Sequence, residues 1–463
     1  MKKINLAIFI LSISLSATCW SQAQTLTMKE AFQLGLSNYG TIKAKNNYVN
    51  ASRASARQAE REYLPNLTFS AQQDYGTVNG QNGPLYGFGG FGVASSGLPL
   101  PDQNWNAAFG ALYLANVNWE FFSFGRINAR IAVAGKVLER DSSDLLQERF
   151  QHQVKIAGAY LNLLAAQRIT FSQQKNLERA ITFRNTTVTR AVNGLNAGVD
   201  SSLANAEVSN ARILLTNARD QEMEQANKLS ILLGVTARNF VLDTTFISRI
   251  PQQALVNGAE TQNHPLLKYY QSRLDLSNQQ TQYFRKTYYP SFSLIGVIQT
   301  RGSGFQSNYA SDQTAFTHNY RDGITPSRTN YLVGVGVNWN LTSILRNTQQ
   351  VKSQEFISQA LKDEYDLVNQ QLAAQSQLAD VKMQNAILNY DEIPVQLQAA
   401  SDAYRQKSAL YKNGLTTIVE VTQTLYALNR AETNRDIIYS NVWQALLLKA
   451  AAAGDINLFI NEF

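Results

Sequence analysis

The sequence predicts a mixed α and β chain that is written twice, each half supplying two short strands and a pair of long helices. Three observations carry this reading. Segments of the two halves align in the same order at a nearly constant offset. Two stretches of about 67 residues, 126–192 and 345–411, have a sustained helical pattern. Short runs alternate bulky apolar residues with small or polar ones, most clearly from Tyr331 to Trp339.

Composition narrows the function classes. The chain has 463 residues, with 41 Lys and Arg against 34 Asp and Glu, a formal charge of +7. Charged residues are 16% of the total, where about 25% is usual; Gln, Asn, Ser and Thr take their place. Hydrophobic residues reach 44% and the mean hydropathy is −0.25, which excludes a polytopic helical membrane protein. The one cysteine, Cys19, excludes a disulfide framework and any multi-cysteine metal centre. His152, His264 and His318 lie far apart and match no metal spacing, so no metal or cofactor is expected. The positive charge is scattered, without a basic run, and gives no footprint for nucleic acid.

Residues 1–23 have the layout of a secretory signal peptide. Lys2 and Lys3 precede an apolar run from Ile4 to Leu15, and Ser21 and Ala23 offer small residues at the −3 and −1 positions of a cleavage site. The run is too short to span a bilayer as a stable helix. Cleavage after Ala23 would remove Cys19 and leave 39 basic against 34 acidic residues. Lipidation of Cys19 is the other reading, but Ser16-Ala17-Thr18 before it is a poor lipidation signal.

The repeats are read as 24–250 and 251–463. Asn38–Pro65 aligns without a gap on Asn263–Pro290 at an offset of 225, with Tyr63 on Tyr288 and Pro65 on Pro290. Val117-Asn118-Trp119 matches Val337-Asn338-Trp339 at an offset of 220, as does Arg126 with Arg346. Gly198 is matched with Gly414 at an offset of 216. In the first half, a helical pattern from Met28 to Tyr63 is stopped by Pro65. Strands are expected at about 66–75 and 105–121, around a glycine-rich loop from Gly76 to Pro101. The second half repeats them at about 290–300 and 330–340. In the last of these, Tyr331, Val333, Val335, Val337 and Trp339 share one face, while Leu332, Gly334, Gly336 and Asn338 share the other. This alternation suits a barrel wall between lipid and water; it suits equally a soluble sheet with one buried face. The helices favour the first. Ile131, Leu138 and Leu145 recur every seven residues, and Ile357, Leu361, Tyr365, Val368 and Leu372 every three or four. Such helices bury a narrow seam and keep wide wetted faces, where a globular core needs a broader stripe. Pro394 should kink the second long helix.

Four strands cannot close a barrel, for which about eight are the minimum. Open edges are not tolerated in lipid. If these strands lie in a membrane, chains must therefore share the barrel, and three would supply twelve strands with three sets of paired helices.

In this frame the chain resembles the TolC family of outer-membrane efflux and export proteins, from Leu26 to Ile456. Tyr63-Leu64-Pro65 and Tyr288-Tyr289-Pro290 at the helix-to-strand junctions carry the likeness, with Arg126 and Arg346 after the strands and the run from Tyr411 to Val421. The resemblance implies a homotrimer with a twelve-stranded barrel in the outer membrane of a Gram-negative bacterium. A long α-helical tunnel would continue it through the periplasm. It implies a passive exit duct for efflux or type I secretion, working with a periplasmic adaptor and an inner-membrane pump of RND or ABC type. The other reading of the chain is a secreted coiled-coil scaffold without a barrel. The resemblance also implies two sites at the far ends of the helices. Gly198, Val199, Gly414 and Leu415 would meet the adaptor, with glycine permitting a left-handed turn at Gly198 and Gly414. Tyr411, Glu420 and Gln423 would form the gate, Glu420 as a ring of three carboxylates and Gln423 as its neutral neighbour. Two departures stand out: the first tip, Gly194 to Asp200, runs about two residues out of step with the family spacing, and Thr416 stands where an arginine is known in the family.

No enzyme is expected. Gly87-Phe88-Gly89-Gly90-Phe91-Gly92 lacks the strand and helix of a phosphate loop. Gly302-Ser303-Gly304 lacks the frame of a nucleophile elbow. Asp363, Glu364 and Asp366 have no histidine or metal partner. Trp105, Tyr113, Trp119, Tyr331 and Trp339 are candidates for membrane-interface anchors, with core packing as the other explanation.

Overall fold

The computed structural model describes residues 25–80, 87–88, 91–92, 96–244, 249–252 and 263–463. The expected signal peptide, with Cys19, lies outside the described residues, as does most of the glycine-rich loop. Two compact units are present, and each draws on both sequence repeats. One comprises residues 1–44, 146–267 and 368–463; the other comprises 45–145 and 268–367.

The helical unit begins with α1 (Met28–Asn38), started by a reciprocal cap in which Glu30 N–H donates to Thr27 Oγ1 and Thr27 N–H donates to the Glu30 carboxylate. The single helix expected from Met28 to Tyr63 is two helices. Tyr39 is extended (φ −65°, ψ 123°) and stacks on buried His152 at 3.9 Å, and α2 (Gly40–Arg61) starts after it. Packing of one ring thus overrides a continuous helical pattern. Most of the unit comes from two helical hairpins. The first is α3 (Arg126–Val192) with α4 (Gly198–Leu233); the second is α7 (Ser343–Lys412) with α8 (Ile418–Ala453). Only the parts of α3 and α7 beyond Leu145 and Leu367 belong here.

The core of this unit gathers Tyr160, Leu161, Leu164, Leu229, Trp443 and Leu446, all essentially inaccessible. Tyr160 donates its hydroxyl to Leu26 O (2.7 Å) and accepts from Asp243 N–H (3.0 Å), pinning the segments that precede α1 and follow α4. Gly234 and Gly454 end α4 and α8 in the left-handed region, at φ 64° and 72°. His152 and His264 reach the last carbonyls of the same helices, Leu232 O and Ala451 O. Burial holds both imidazoles below their ordinary pKa, so the neutral rings act as donors there. Pro394 does not end α7: it sits on an exposed face, where water can take the carbonyl its missing N–H leaves unpaired.

The other unit holds a four-stranded antiparallel sheet. Its strands are β1 (Asn66–Thr77), β4 (Ala107–Phe122), β5 (Ser291–Ser303) and β6 (Arg328–Asn338), in the order β1-β4-β5-β6. A two-residue pair, β2 (Gly87–Phe88) and β3 (Phe91–Gly92), lies in the glycine-rich segment. Register places Leu67, Phe69, Val117, Leu294, Val333 and Val335 on one face. Thr68, Ser70, Asn116, Asn118, Gly334 and Gly336 lie on the other. A short helix that the sequence pattern did not reveal, α6 (Tyr320–Ile324), folds onto the far end of the apolar face. There Tyr320 packs edge-on against Phe109 and donates to Gln73 Oε1 (2.7 Å), and Tyr113 donates to Ile324 O.

At the opposite end of the sheet the two repeats build the same junction. Trp119 Nε1 donates to Tyr63 O (2.9 Å) and Trp339 Nε1 to Tyr288 O (3.1 Å). These indoles therefore fix the helix-to-strand corners, and the Tyr-x-Pro motifs mark where they do so. The flanking helices meet through polar groups. Lys45 pairs with Asp144, Ser277 with Ser358, and α5 (Pro265–Lys286) joins α7 through Arg273–Glu364 and Arg285–Glu355. The acidic cluster of α7 is thereby accounted for: Glu364 pairs with Arg273, Asp366 with Lys362, and Asp363 accepts from Gln359.

Trp443→Ala should lower the stability of the helical unit by about 3–5 kcal/mol, the usual effect of emptying a buried aromatic site. Denaturant unfolding followed by helical circular dichroism checks this.

Candidate functional site: the two helix-hairpin tips

The duplication becomes stricter at the tips than the sequence indicated. Gly194 (φ 73°) and Gly414 (φ 76°) are the left-handed glycines. In each tip the glycine N–H donates three residues back, to Ala191 O and Tyr411 O, both 3.0 Å. The next amide reaches five residues back, Leu195 to Arg190 and Leu415 to Leu410, both 2.9 Å. This double closure of a helix end requires a residue that tolerates positive φ. Gly198 is different. It is the first residue of α4, after the extended Ala197, as Ile418 is the first residue of α8 after Thr417. The match of Gly198 with Gly414 is therefore corrected to Gly194 with Gly414, and the left-handed turn expected at Gly198 belongs to Gly194. The offset of 220 found at the strands holds through both hairpins to the closing glycines, Gly234 and Gly454. The two tips are thus in step with each other.

On this corrected frame, Val199 corresponds to Val419 and Leu195 to Leu415. All four are exposed, at 62%, 53%, 66% and 71%. Each tip therefore presents two apolar residues to solvent, one in the turn and one in the first turn of the following helix. Of these, sequence reading singled out Val199 and Leu415 and missed their equivalents.

Tyr411 is buried, 2% exposed, in a small cluster with Phe183, Ala204, Ile418 and Val421. Its hydroxyl accepts from Asn196 Nδ2 (2.8 Å) and donates weakly to Thr187 Oγ1 (3.4 Å). Arg190 closes the arrangement. Its guanidinium donates to Lys412 O (2.5 Å), a carbonyl left over at the end of α7, and to Asn196 Oδ1 (2.9 Å). It also lies 5.8 Å from the Tyr411 ring centre. Asn196 in turn donates to Asp200 (2.8 Å). Tyr411 thus joins the first tip to the second within one chain, mainly through hydrogen bonds.

Glu420 is the third residue of α8, and its N–H is capped by Thr417 Oγ1. A carboxylate there is also favoured by the partial positive charge of the helix start, and Asp200 occupies the same place in α4. The Glu420 side chain forms an ion pair with Lys407 on the preceding helix. That ammonium holds the carboxyl below its ordinary value. Gln423 is exposed one turn further on. Lys407 escaped the sequence reading, although residues nearly equidistant from a helical turn face each other across the hairpin. Among the described residues no three His, Cys, Asp or Glu side chains gather as a metal site would require.

The family model for outer membrane efflux proteins matches residues 31–235 and 257–436, through both repeats and both tips. The chain belongs to the outer membrane efflux protein family. No curated protein sequence matches it. Its fold is that of solved channels of this kind. The Campylobacter jejuni CmeC outer membrane channel is 14% identical with a TM-score of 0.74, the match covering 98% of this chain and 94% of that one. The outer membrane protein VceC of Vibrio cholerae is 16% identical, with a TM-score of 0.72 and coverage of 92% and 96%. The open state of the Neisseria gonorrhoeae MtrE outer membrane channel is 14% identical, with a TM-score of 0.70 and coverage of 92% and 89%. As an outer membrane efflux protein the chain is an exit duct, and the scaffold without a barrel is not supported.

Proposed function

We propose that three copies of this outer membrane efflux protein close one twelve-stranded barrel in the outer membrane of a Gram-negative bacterium. Their helical hairpins would extend as a conduit into the periplasm. In this reading the leader 1–23 is removed and the repeats 24–250 and 251–463 line the duct together. A periplasmic adaptor and an inner-membrane pump of RND or ABC type deliver the cargo, and the duct conducts it passively.

One observation carries the reading: a four-stranded sheet that, among the described residues, has β1 and β6 as its outer strands and one continuous apolar face. Phe69, Tyr331, Val333 and Val335 are between 64% and 80% exposed on that face, a large apolar patch suited to lipid. Aromatic residues bound it. Trp119 and Trp339 stand at the helix end, and Tyr75, Phe109 and Tyr320 at the other. The run from Phe109 to Trp119, at about 3.4 Å per residue and a tilt near 45°, rises about 25 Å, the height of a lipid-facing band. Among the described residues no helix is long and apolar enough to cross a membrane.

We assign the exposed Val199 and Leu415, beside Gly198 and Gly414, to adaptor docking. Tyr411, Glu420 and Gln423 are assigned to the gate. Three-fold symmetry would make Glu420 a carboxylate ring, each member countered by Lys407 of its own chain.

The detergent-solubilised protein should have about three times the mass of the mature chain once bound detergent is subtracted; a stable monomer retaining all its β-structure would contradict closure. Val199→Asp with Leu415→Asp should abolish export while trimer and surface level stay unchanged. Full export would remove these residues from docking. In planar bilayers, Glu420→Gln should lower cation selectivity and relieve block by divalent cations, whereas Lys407→Gln, which frees the carboxylate, should raise both. Unaltered selectivity and block in both variants would take Glu420 out of the gate.

A further inference from the structure

We propose that copies of this chain join edge to edge in one defined register, Tyr331–Asn338 of one copy against Ser70–Thr77 of the next. Val335 then lies opposite Gln73, Gly334 opposite Asp74, and Val333 opposite Tyr75. This rests on the three-copy closure above and adds to it the residues that meet.

The register follows from the duplication. β1 and β5 are repeats at an offset of 225, and β4 and β6 at an offset of 220. Within the first repeat β1 pairs with β4, Asn66 opposite Asn118. Applying the two offsets to that pair gives Ser291 opposite Asn338, which is the pair β5 and β6 make. Duplication has therefore kept strand register to the residue.

The sheet contains one further seam, between the repeats, where β4 meets β5. There Ala115 lies opposite Ile298, Leu114 opposite Gln299 and Tyr113 opposite Thr300. In terms of repeats, this is the second strand of one unit against the first strand of the next. The outer strands β6 and β1 are the same two kinds of strand, so a neighbouring copy repeats this seam. Adding 220 to the β4 residue and subtracting 225 from the β5 residue gives the three pairs named above. A trimer built this way has six near-equivalent seams around the barrel.

The side chains agree with this register. Val333 and Val335 continue the apolar face, and Tyr75 and Gln73 occupy the same face of β1. Gly334 and Gly336 fall on the opposite face, next to Asp74 and Gln72. A Cβ at Gly334 would meet nothing within 4 Å, so that position has open space for the Asp74 carboxylate. A shift of one residue would turn one strand over and set Val335 among polar neighbours. A shift of two keeps the faces but changes every pair, and the duplication excludes it.

Cysteine pairs test the proposal on the full chain in the outer membrane. The double variants Gln73→Cys with Val335→Cys and Asp74→Cys with Gly334→Cys are matched. Successive antiparallel pairs alternate between wider and closer spacing, so one of the two has the favourable approach. The shifted controls are Ala71→Cys with Val335→Cys and Gln72→Cys with Gly334→Cys. Single-cysteine chains account for any linkage through Cys19. Under mild oxidation, the better matched pair should give at least five-fold more covalent dimer and trimer than either control. Shifted pairs linking as well as the matched ones would overturn the register. So would matched variants that are trimeric by mass yet remain unlinked. Variants and parent that are all monomeric would sink the closure itself, and the register with it.

Discussion

A four-stranded sheet has two outer strands whose far edges are not paired within the sheet, and in this chain both, β1 and β6, carry strongly apolar residues. In water such an edge invites uncontrolled pairing. In lipid it is intolerable, because each unpaired group costs several kcal/mol. The apolar face running from Leu67 and Trp119 toward Ile298 and Val333 cannot be covered from within the sheet, since α6 reaches only one end of it. Closure with further copies satisfies both demands at once, and membership of the outer membrane efflux protein family agrees with that solution.

The helices meet a different requirement. They are long and carry narrow apolar seams, and the contacts around α5 and α7 include Ser277, Ser358, Gln354 and ion pairs. A wall wetted on wide faces has no broad oily stripe to bury. Where the segments around α1 and the ends of α4 and α8 converge, a conventional core forms, centred on Tyr160 and Trp443. The two hairpins there end on glycines, and histidines bind carbonyls of their last turns.

At the tips, charge and shape are balanced within one chain. Arg190, Asn196 and Tyr411 hold the two turns together, while Lys407 compensates Glu420. Each tip also exposes two apolar side chains, Leu195 with Val199 and Leu415 with Val419.

The sequence by itself determined the duplication, the strands, the long hairpins and the family, because each is written in local periodicity or in order-preserving matches such as Tyr63-Leu64-Pro65 with Tyr288-Tyr289-Pro290. Tertiary structure decided what depends on contacts between distant segments. The break at Tyr39 comes from stacking on His152, over a hundred residues away in sequence. Helix α6 is held by Gln73, Phe109 and Tyr113 rather than by its own five residues. The glycine equivalence at the tips needed backbone angles: Gly194 and Gly198 are the same letter, but only Gly194 has the positive φ that no other residue would take easily. Lys407 became the partner of Glu420 only once the hairpin closed, for an ion pair across two helices leaves no period in the sequence.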